Sequence, residues 1–266
     1  MQEFISYSQH ADDFIAWQLL GKKRKGLVLE VGAFDGIHLS NSYGLELLGW
    51  DSICVEPNPN IFKFLQDQRP KSQVFNCAAV GDQEIEEIDF YSEEIGVLSG
   101  IDYDEQDIKK RYANRGLAYK EPEHFKVVAK TLNQLLNSAK LRTNRLDVVS
   151  IDVEGFELEV LKGLDLSKWK VGLFIIEAND LDHKNLILNH FEPWTDYVHF
   201  GDNFQNLFIG NKNLITQKRV RNLDYSNYQK MQQAHPLGPD FTIDSRLSDF
   251  KINENLSGLK KRMGLF

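Results

Sequence analysis

A chain of 266 residues has room for one large domain with an appendage, and 42% hydrophobic with 26% charged residues supplies a core and excludes wholesale disorder. The net charge of -8, from 31 Lys+Arg against 39 Asp+Glu, gives no global positive field of the kind that draws phosphate backbones, which disfavours nonspecific nucleic-acid binding. Cys54 and Cys77 are the only cysteines and both lie in apolar runs that read as strands, so no disulfide framework or Cys-rich zinc site is expected. The opening MQEFISYSQHADDF lacks a basic stretch followed by an apolar one, and no run reaches the roughly 18 apolar residues that span a bilayer. The expectation is a soluble, cytoplasmic protein with no membrane partner.

From Leu27 onward short apolar runs alternate with amphipathic ones, the pattern of parallel strands joined by crossover helices. Strands are expected at Leu27–Val31, Ser52–Glu56, Val74–Val80, Leu146–Ile151 and Gly172–Glu177. Helices are expected at Leu39–Leu48, Asn60–Arg69, Leu132–Ala139, Glu157–Lys162 and Asp182–His190, where apolar residues recur at three- and four-residue steps. Glu84–Tyr91 alternates Ile85, Ile88 and Phe90 with acids and reads as a hairpin insertion. The charged 102–123 insertion, carrying Tyr103, Tyr112 and Tyr119, reads as a lid helix or a mobile loop. DYVHF and QNLFIG, joined by Gly201, Asp202 and Asn203, predict an antiparallel hairpin at the sheet edge.

After Gly210 the composition turns basic: residues 211–266 hold ten Lys/Arg and five Asp/Glu, a net of +5 that leaves -13 on the first 210. This predicts a main domain over 1–210 and a separate extension over 211–266. The extension is expected to wrap the domain or a neighbouring subunit through Tyr225, Tyr228, Phe241 and Phe250, a route to a homo-oligomer.

In an open parallel sheet, ligands bind beyond the carboxyl ends of the strands. The first strand runs into Glu30-Val31-Gly32-Ala33-Phe34-Asp35-Gly36, whose glycines permit the tight turn and close backbone approach a nucleoside needs. It is not a dinucleotide fingerprint, since Phe34 stands where a glycine is required, and the acids at positions 30 and 35 oppose a pyrophosphate. Further strand ends carry Glu56-Pro57-Asn58, Asp152-Val153-Glu154-Gly155 and Glu177-Ala178-Asn179-Asp180. Each acid alone could cap the next helix. Four in succession favour a cationic cofactor without phosphates, and S-adenosylmethionine, with its sulfonium and amino group, meets that description.

LEVGAFDG, CVEPNP, CAAVGD and SIDVEGFELEVLKGL resemble the successive motifs of the FkbM-type methyltransferases, and SYSQHADD resembles the Ser-x-x-Gln-x-Gly-Glu-Asp opening common there. Departures from the usual pattern are Glu30 for Asp, Phe34 for Asn and Ala11 for Gly. The resemblance implies a class I methyltransferase (Rossmann-like) α/β fold, a mostly parallel seven-stranded sheet with an antiparallel edge hairpin and helices on both faces. It implies O-methylation of a hydroxyl. By carry-over Gly32, Ala33 and Gly36 pass the methionine part, with Glu30 and Asp35 in the same loop. Glu56 holds the ribose beside Pro57, Ala78 lies against the adenine, Asp152 faces the methionine end or the acceptor, and Gln9 with Asp13 closes over the site.

An alcohol acceptor must also lose its proton. Asp152 and Glu154 are the first candidates for that role, and His199 and His38 the second. Asp152, Glu177 and Asn179 offer oxygen ligands for Mg²⁺ as a lesser alternative; no dedicated metal site is expected. The favoured acceptor is a hydroxyl of a sugar, glycan or glycosylated small molecule. Ribose 2'-O-methylation of RNA and a non-catalytic cofactor-binding module are the other readings.

Overall fold

The computed structural model describes residues 4–93, 99–101, 103–114, 118–223 and 228–230. In chain order the elements are β1 (Phe4–Ser6), α1 (Asp12–Leu19), β2 (Leu27–Val31), α2 (Tyr43–Leu47), β3 (Asp51–Val55), α3 (Pro59–Gln68), β4 (Gln73–Phe75), β5 (Ala78–Val80), β6 (Glu87–Ser92), α4 (Glu105–Asn114), β7 (Glu123–Thr131), α5 (Leu132–Ser138), β8 (Arg145–Ile151), α6 (Glu157–Lys162), β9 (Lys170–Glu177), α7 (Leu181–Phe191), β10 (Tyr197–Asn203), β11 (Asn206–Asn211), α8 (Gln217–Arg221) and β12 (Tyr228–Lys230).

Seven strands form the central sheet in the order β10-β11-β9-β8-β2-β3-β4. All neighbours from β9 to β4 pair parallel, whereas β11 runs antiparallel to both β9 and β10. The chain starts at β2, winds to β3 and β4, then returns to β8 and β9 on the other side. Strand order therefore reverses between β2 and β8, the place where such sheets open a ligand crevice. This is the class I methyltransferase arrangement expected from the motifs.

Because side chains alternate across a strand, β2 sends Leu27, Leu29 and Val31 to one face and Val28 to the other. The first face is covered by Leu132 and Leu135 of α5, Val160 and Leu161 of α6, and Ile187 and Phe191 of α7. The second is covered by Phe14, Ile15 and Leu19 of α1, Leu45 of α2 and Val220 of α8.

Three expectations need correction. The single strand expected over 74–80 is two strands in different sheets, because the Asn76 side chain donates to the carbonyls of Glu56 and Pro57 and turns the chain; β5 instead pairs with β7 in a small sheet ordered β5-β7-β6. The acid-flanked strand over 84–91 meets the adjacent return in an antiparallel bridge between Tyr91 and Gly100, but its main partner is the distant β7; 105–114 of the insertion between them is helical, one of the two forms expected. Gly201, Asp202 and Asn203 do not form the hairpin turn. They belong to β10, with a register shift between His199 and Gly201, and the chain reverses at Phe204 and Gln205, Phe204 taking a left-handed φ of 56°.

The compositional break at 210 is not a structural one. Ile215, Val220 and Leu223 complete the second core, and β12 pairs parallel with β1, Phe4 opposite Tyr228. The Tyr228 ring packs 4.8 Å from that of Phe14, whereas Tyr225, Phe241 and Phe250 lie outside the described residues. Among the described residues no helix is long and apolar enough to cross a membrane.

The N-terminal segment is fastened by two adjacent, fully buried carboxylates. Asp12 accepts from the side chains of Asn203 and Asn206 on the hairpin at 2.8 and 3.1 Å. Asp13 accepts from Ser6 Oγ at 2.5 Å and from the backbone of Tyr7 and Phe14. Burial raises Asp12 to about 6 and Asp13 to about 7, against the hydrogen bonds that lower them. A carboxyl raised on folding adds stability that is complete below its unfolded pKa and is lost as pH rises through its folded one. The melting temperature is therefore expected to fall between pH 5 and pH 8, by the equivalent of about 1–3 kcal/mol, and Asp13→Asn is expected to flatten that slope. A stability that climbs steadily from pH 5 to 8 would count against this reading.

Candidate active site

A cleft of about 630 Å³ opens at the carboxyl ends of β2, β3, β8 and β9. Its floor depends on Gly32, at φ 83°: a Cβ there would lie 1.8 Å from the Asp152 carbonyl oxygen, so only glycine lets the turns after β2 and β8 approach this closely.

One side of the cleft is apolar, formed by Val55, Pro57, Cys77, Ala78, Ala79, Phe90 and Ile101. At its edge Glu56 is buried, accepting from the backbone N–H of Phe34 at 2.9 Å and of Asn58 at 2.8 Å. Burial pushes this carboxyl up to about 8, helped by the charge of Asp35 and opposed by those two hydrogen bonds. Glu56, Pro57, Ala78, Gly32, Gln9 and Asp152 all line the cleft.

The opposite side holds Asp152, Glu154, Glu177, Asn179 and Gln205. Asp152, Glu157 and Glu177 each bring a carboxylate oxygen within 4.8 Å of the other two. Solvent reaches Asp152 through the cleft mouth, yet the protein walls around it raise its pKa well above the carboxylate range, followed by the charges of Glu177, Glu154 and Glu157. Burial and Glu177 lift Glu154 to about 8 against the nearby Arg111, and the same two causes lift Glu157 to about 7. Low dielectric and like charge make a full set of ionised carboxylates costly, and a cation entering the cleft offsets that cost. A cationic cofactor fits this donor set, and a phosphate-bearing one does not.

Of the remaining expected residues, Glu30, His38 and Asn179 also line the cleft and the others lie elsewhere. Glu30 reaches the cleft wall, but both its oxygens are occupied: Ser40 and Ser42 hydroxyls donate to Oε2 at 2.8 and 2.5 Å, and the Asn41 N–H to Oε1 at 2.5 Å. Ala33 faces a small core with Cys54 and Leu65. Asp35 is buried below the loop and accepts from the N–H groups of Ile37 and His38 and from the His38 ring at 2.6 Å; burial alone would raise its pKa, but these bonds and the imidazole charge hold it below the usual value. Gly36 makes room for Arg69, whose Cγ would lie 2.6 Å from an added Cβ. Asp13 fastens the N-terminal segment, as described above, and His199 pairs with Asp202 at 2.6 Å on β10, off the cleft. His38 does line the cleft. Asn179 donates to Glu177 Oε2 at 3.1 Å.

Sequence reasoning missed Arg111 and Asn114, which α4 brings to the cleft, and Gln205 from the hairpin turn. Arg111 Nη1 lies 2.8 Å from Glu154 Oε2 and its Nε 2.8 Å from Asp107. Among the described lining residues it is the one arginine or lysine, and a charged insertion gives no sequence signal of which cation turns inward.

A parallel sheet with its switch point at β2 and β8 and an antiparallel β11 near its edge form the class I methyltransferase arrangement, with an acid-lined cleft at the switch point. The methyltransferase FkbM domain model matches residues 30–199, and the chain belongs to that family. Similar solved structures include the C-terminal domain of precorrin-6Y C5,15-methyltransferase from Rhodobacter capsulatus, 13% identical over 71% of each chain with a TM-score of 0.37. M. capricolum TrmK in complex with S-adenosylhomocysteine is 12% identical over 95% of this chain and 97% of that one, with a TM-score of 0.39. A human methyltransferase 10 domain containing protein is 13% identical over 74% and 78%, with a TM-score of 0.41. No curated protein matches the chain.

Proposed function

We propose that this methyltransferase transfers the methyl group to a hydroxyl oxygen of a sugar, glycan or glycosylated small molecule. The observation that carries this reading is the chemistry of the acceptor side: Asp152, Glu154, Glu177, Asn179, Gln205 and Asn114 are carboxylates and carboxamides, which accept from and donate to neutral polyols and repel a phosphate backbone.

When bound, S-adenosylmethionine supplies an electrophilic methyl carbon on a sulfonium. Glu56 receives the ribose hydroxyls beside the apolar wall, and Asp152 and Glu154 face the methionine end and the acceptor. Asp152, with Glu154 as its neighbour, would take the hydroxyl proton as the acceptor oxygen gains the methyl group. A divalent cation held by Asp152 and Glu177 is a second way to lower the acceptor's pKa; turnover that survives exhaustive chelation rejects it.

Calorimetric titration tests the cofactor half. Wild type is expected to bind S-adenosylmethionine and S-adenosylhomocysteine in the micromolar range, and Glu56→Ala to weaken both by about 1–3 kcal/mol, because both carry the ribose. Equal affinity in wild type and variant would reduce Glu56 to a buckle for the Phe34 and Asn58 turns. A methyl-transfer screen beginning with sugars then tests the acceptor, and transfer to RNA alone would overturn the carbohydrate reading.

A further inference from the structure

Glu157 belongs to the most specific sequence motif, yet the mechanism above assigns it no part. It is the first residue of α6 and is fully buried. Its Oε1 accepts from the N–H groups of Val153 and Gly155 at 2.9 and 3.1 Å, which clasps the turn that carries Asp152 and Glu154. That turn is strained, with Glu154 at φ 55° before Gly155 at φ 107°. The second oxygen makes no hydrogen bond. It lies 3.4 Å from His183 Nε2 on α7, and the Glu157 carboxylate brings an oxygen within 4.8 Å of those of Asp152 and Glu177. A turn clasp needs only the first oxygen. A further buried carboxylate this close to two others raises the negative potential of the cleft.

We propose that Glu157 is a positioning residue that also supplies the buried charge by which the cleft prefers the cationic methyl donor to its neutral thioether product. This rests on the reading that Asp152 faces the methionine end. It gives the protein a means of releasing product: once the sulfonium charge is gone, the carboxylate cluster attracts only the remaining ammonium group and holds what is left less tightly.

The test is calorimetry at pH 8.5 with S-adenosylmethionine and S-adenosylhomocysteine on wild type, Glu157→Gln and His183→Lys. Glutamine keeps an oxygen for the Val153 and Gly155 bonds and removes the charge. It is expected to leave S-adenosylhomocysteine affinity within about twofold while lowering the donor-to-product preference by about five- to twentyfold, the range for one charge acting across a cleft. Lysine at 183, on a side chain partly open to solvent, places a permanent cation beside Glu157 without touching its backbone bonds. It is expected to lower the preference in the same direction and serves as the deciding variant if Glu157→Gln does not fold. A preference unchanged within twofold in the variants that fold would make Glu157 a turn clasp only and overturn the proposal. Wild type that binds neither ligand would instead overturn the cofactor reading of the cleft, and this inference with it.

Discussion

Arg69→Met is expected to destabilise the protein by about 3–5 kcal/mol, a drop of roughly 10 °C in melting temperature for a chain of this size. Arg69 lies at the end of α3 with its side chain wholly buried. Nη1 donates to the Gly36 carbonyl at 2.7 Å, Nη2 to Ser42 Oγ at 3.0 Å and Nε to Glu46 Oε2 at 3.0 Å. The guanidinium also lies 5.0 Å from the Tyr43 ring centroid, and its charge lowers the pKa of the buried Glu30, which burial raises. Methionine fills much of the volume and leaves Glu46 and Glu30 without the cation, so the loss measures uncompensated buried charge and not an empty cavity. Because Gly36, Ser40 and Ser42 frame the loop above β2, cofactor affinity should fall together with stability. A urea-denaturation difference below about 1 kcal/mol would mean that solvent reaches the two glutamates and relieves them.

Asp152→Asn is expected to lower methyl transfer by 10²- to 10⁴-fold, the usual contribution of a positioned general base, with S-adenosylhomocysteine still bound. Asparagine retains the shape and the backbone bond from the Asp152 N–H to the Val31 carbonyl at 3.1 Å. It cannot take the acceptor's proton. Since a base acts in its deprotonated form and the pKa of Asp152 is raised by its surroundings and by three neighbouring acids, the wild-type rate should climb with pH beyond the range in which an ordinary aspartate has finished titrating. Glu154→Gln should cost less, because Arg111 already engages that carboxylate. A variant within tenfold of wild type, or a rate that declines with rising pH throughout, would assign the proton to another group.

The parts of the fold legible in the sequence were those written in long apolar periods. β2, β3, β8 and β9 are buried along almost their whole length, so apolar residues occupy both of their faces, and α6 carries the 157–162 bounds expected for it. β1 and β12 are three residues each, too short to show a period. β7 alternates Phe125, Val127 and Ala129 inward with the exposed Lys126 and Val128 between, a two-residue period masked by the charged insertion before it.

The candidate site divides the same way. Strand-end acids such as Glu56 and Asp152 announce themselves by position, whereas Arg111 depends on how an insertion folds back and Arg69 reads as an ordinary surface cation at a helix end. Two of the departures from the family pattern have a common physical setting: Ala11 at φ 61° and Phe34 at φ 49° are both left-handed, the conformation that glycine and asparagine adopt with least strain.

The pairing of β1 with β12 also sets an order of events during synthesis. Gln9 reaches the cleft on a segment whose strand bonds to residues 228–230 and whose Asp12 bonds to the hairpin at Asn203 and Asn206. Residues 4–13 therefore wait for residues 228–230, more than two hundred positions later in the chain, before they can dock. At about 5–20 residues per second, the central sheet has time to assemble while the N-terminal rim remains unplaced. The cofactor cleft is thus completed late, when the returning chain brings β12 to β1.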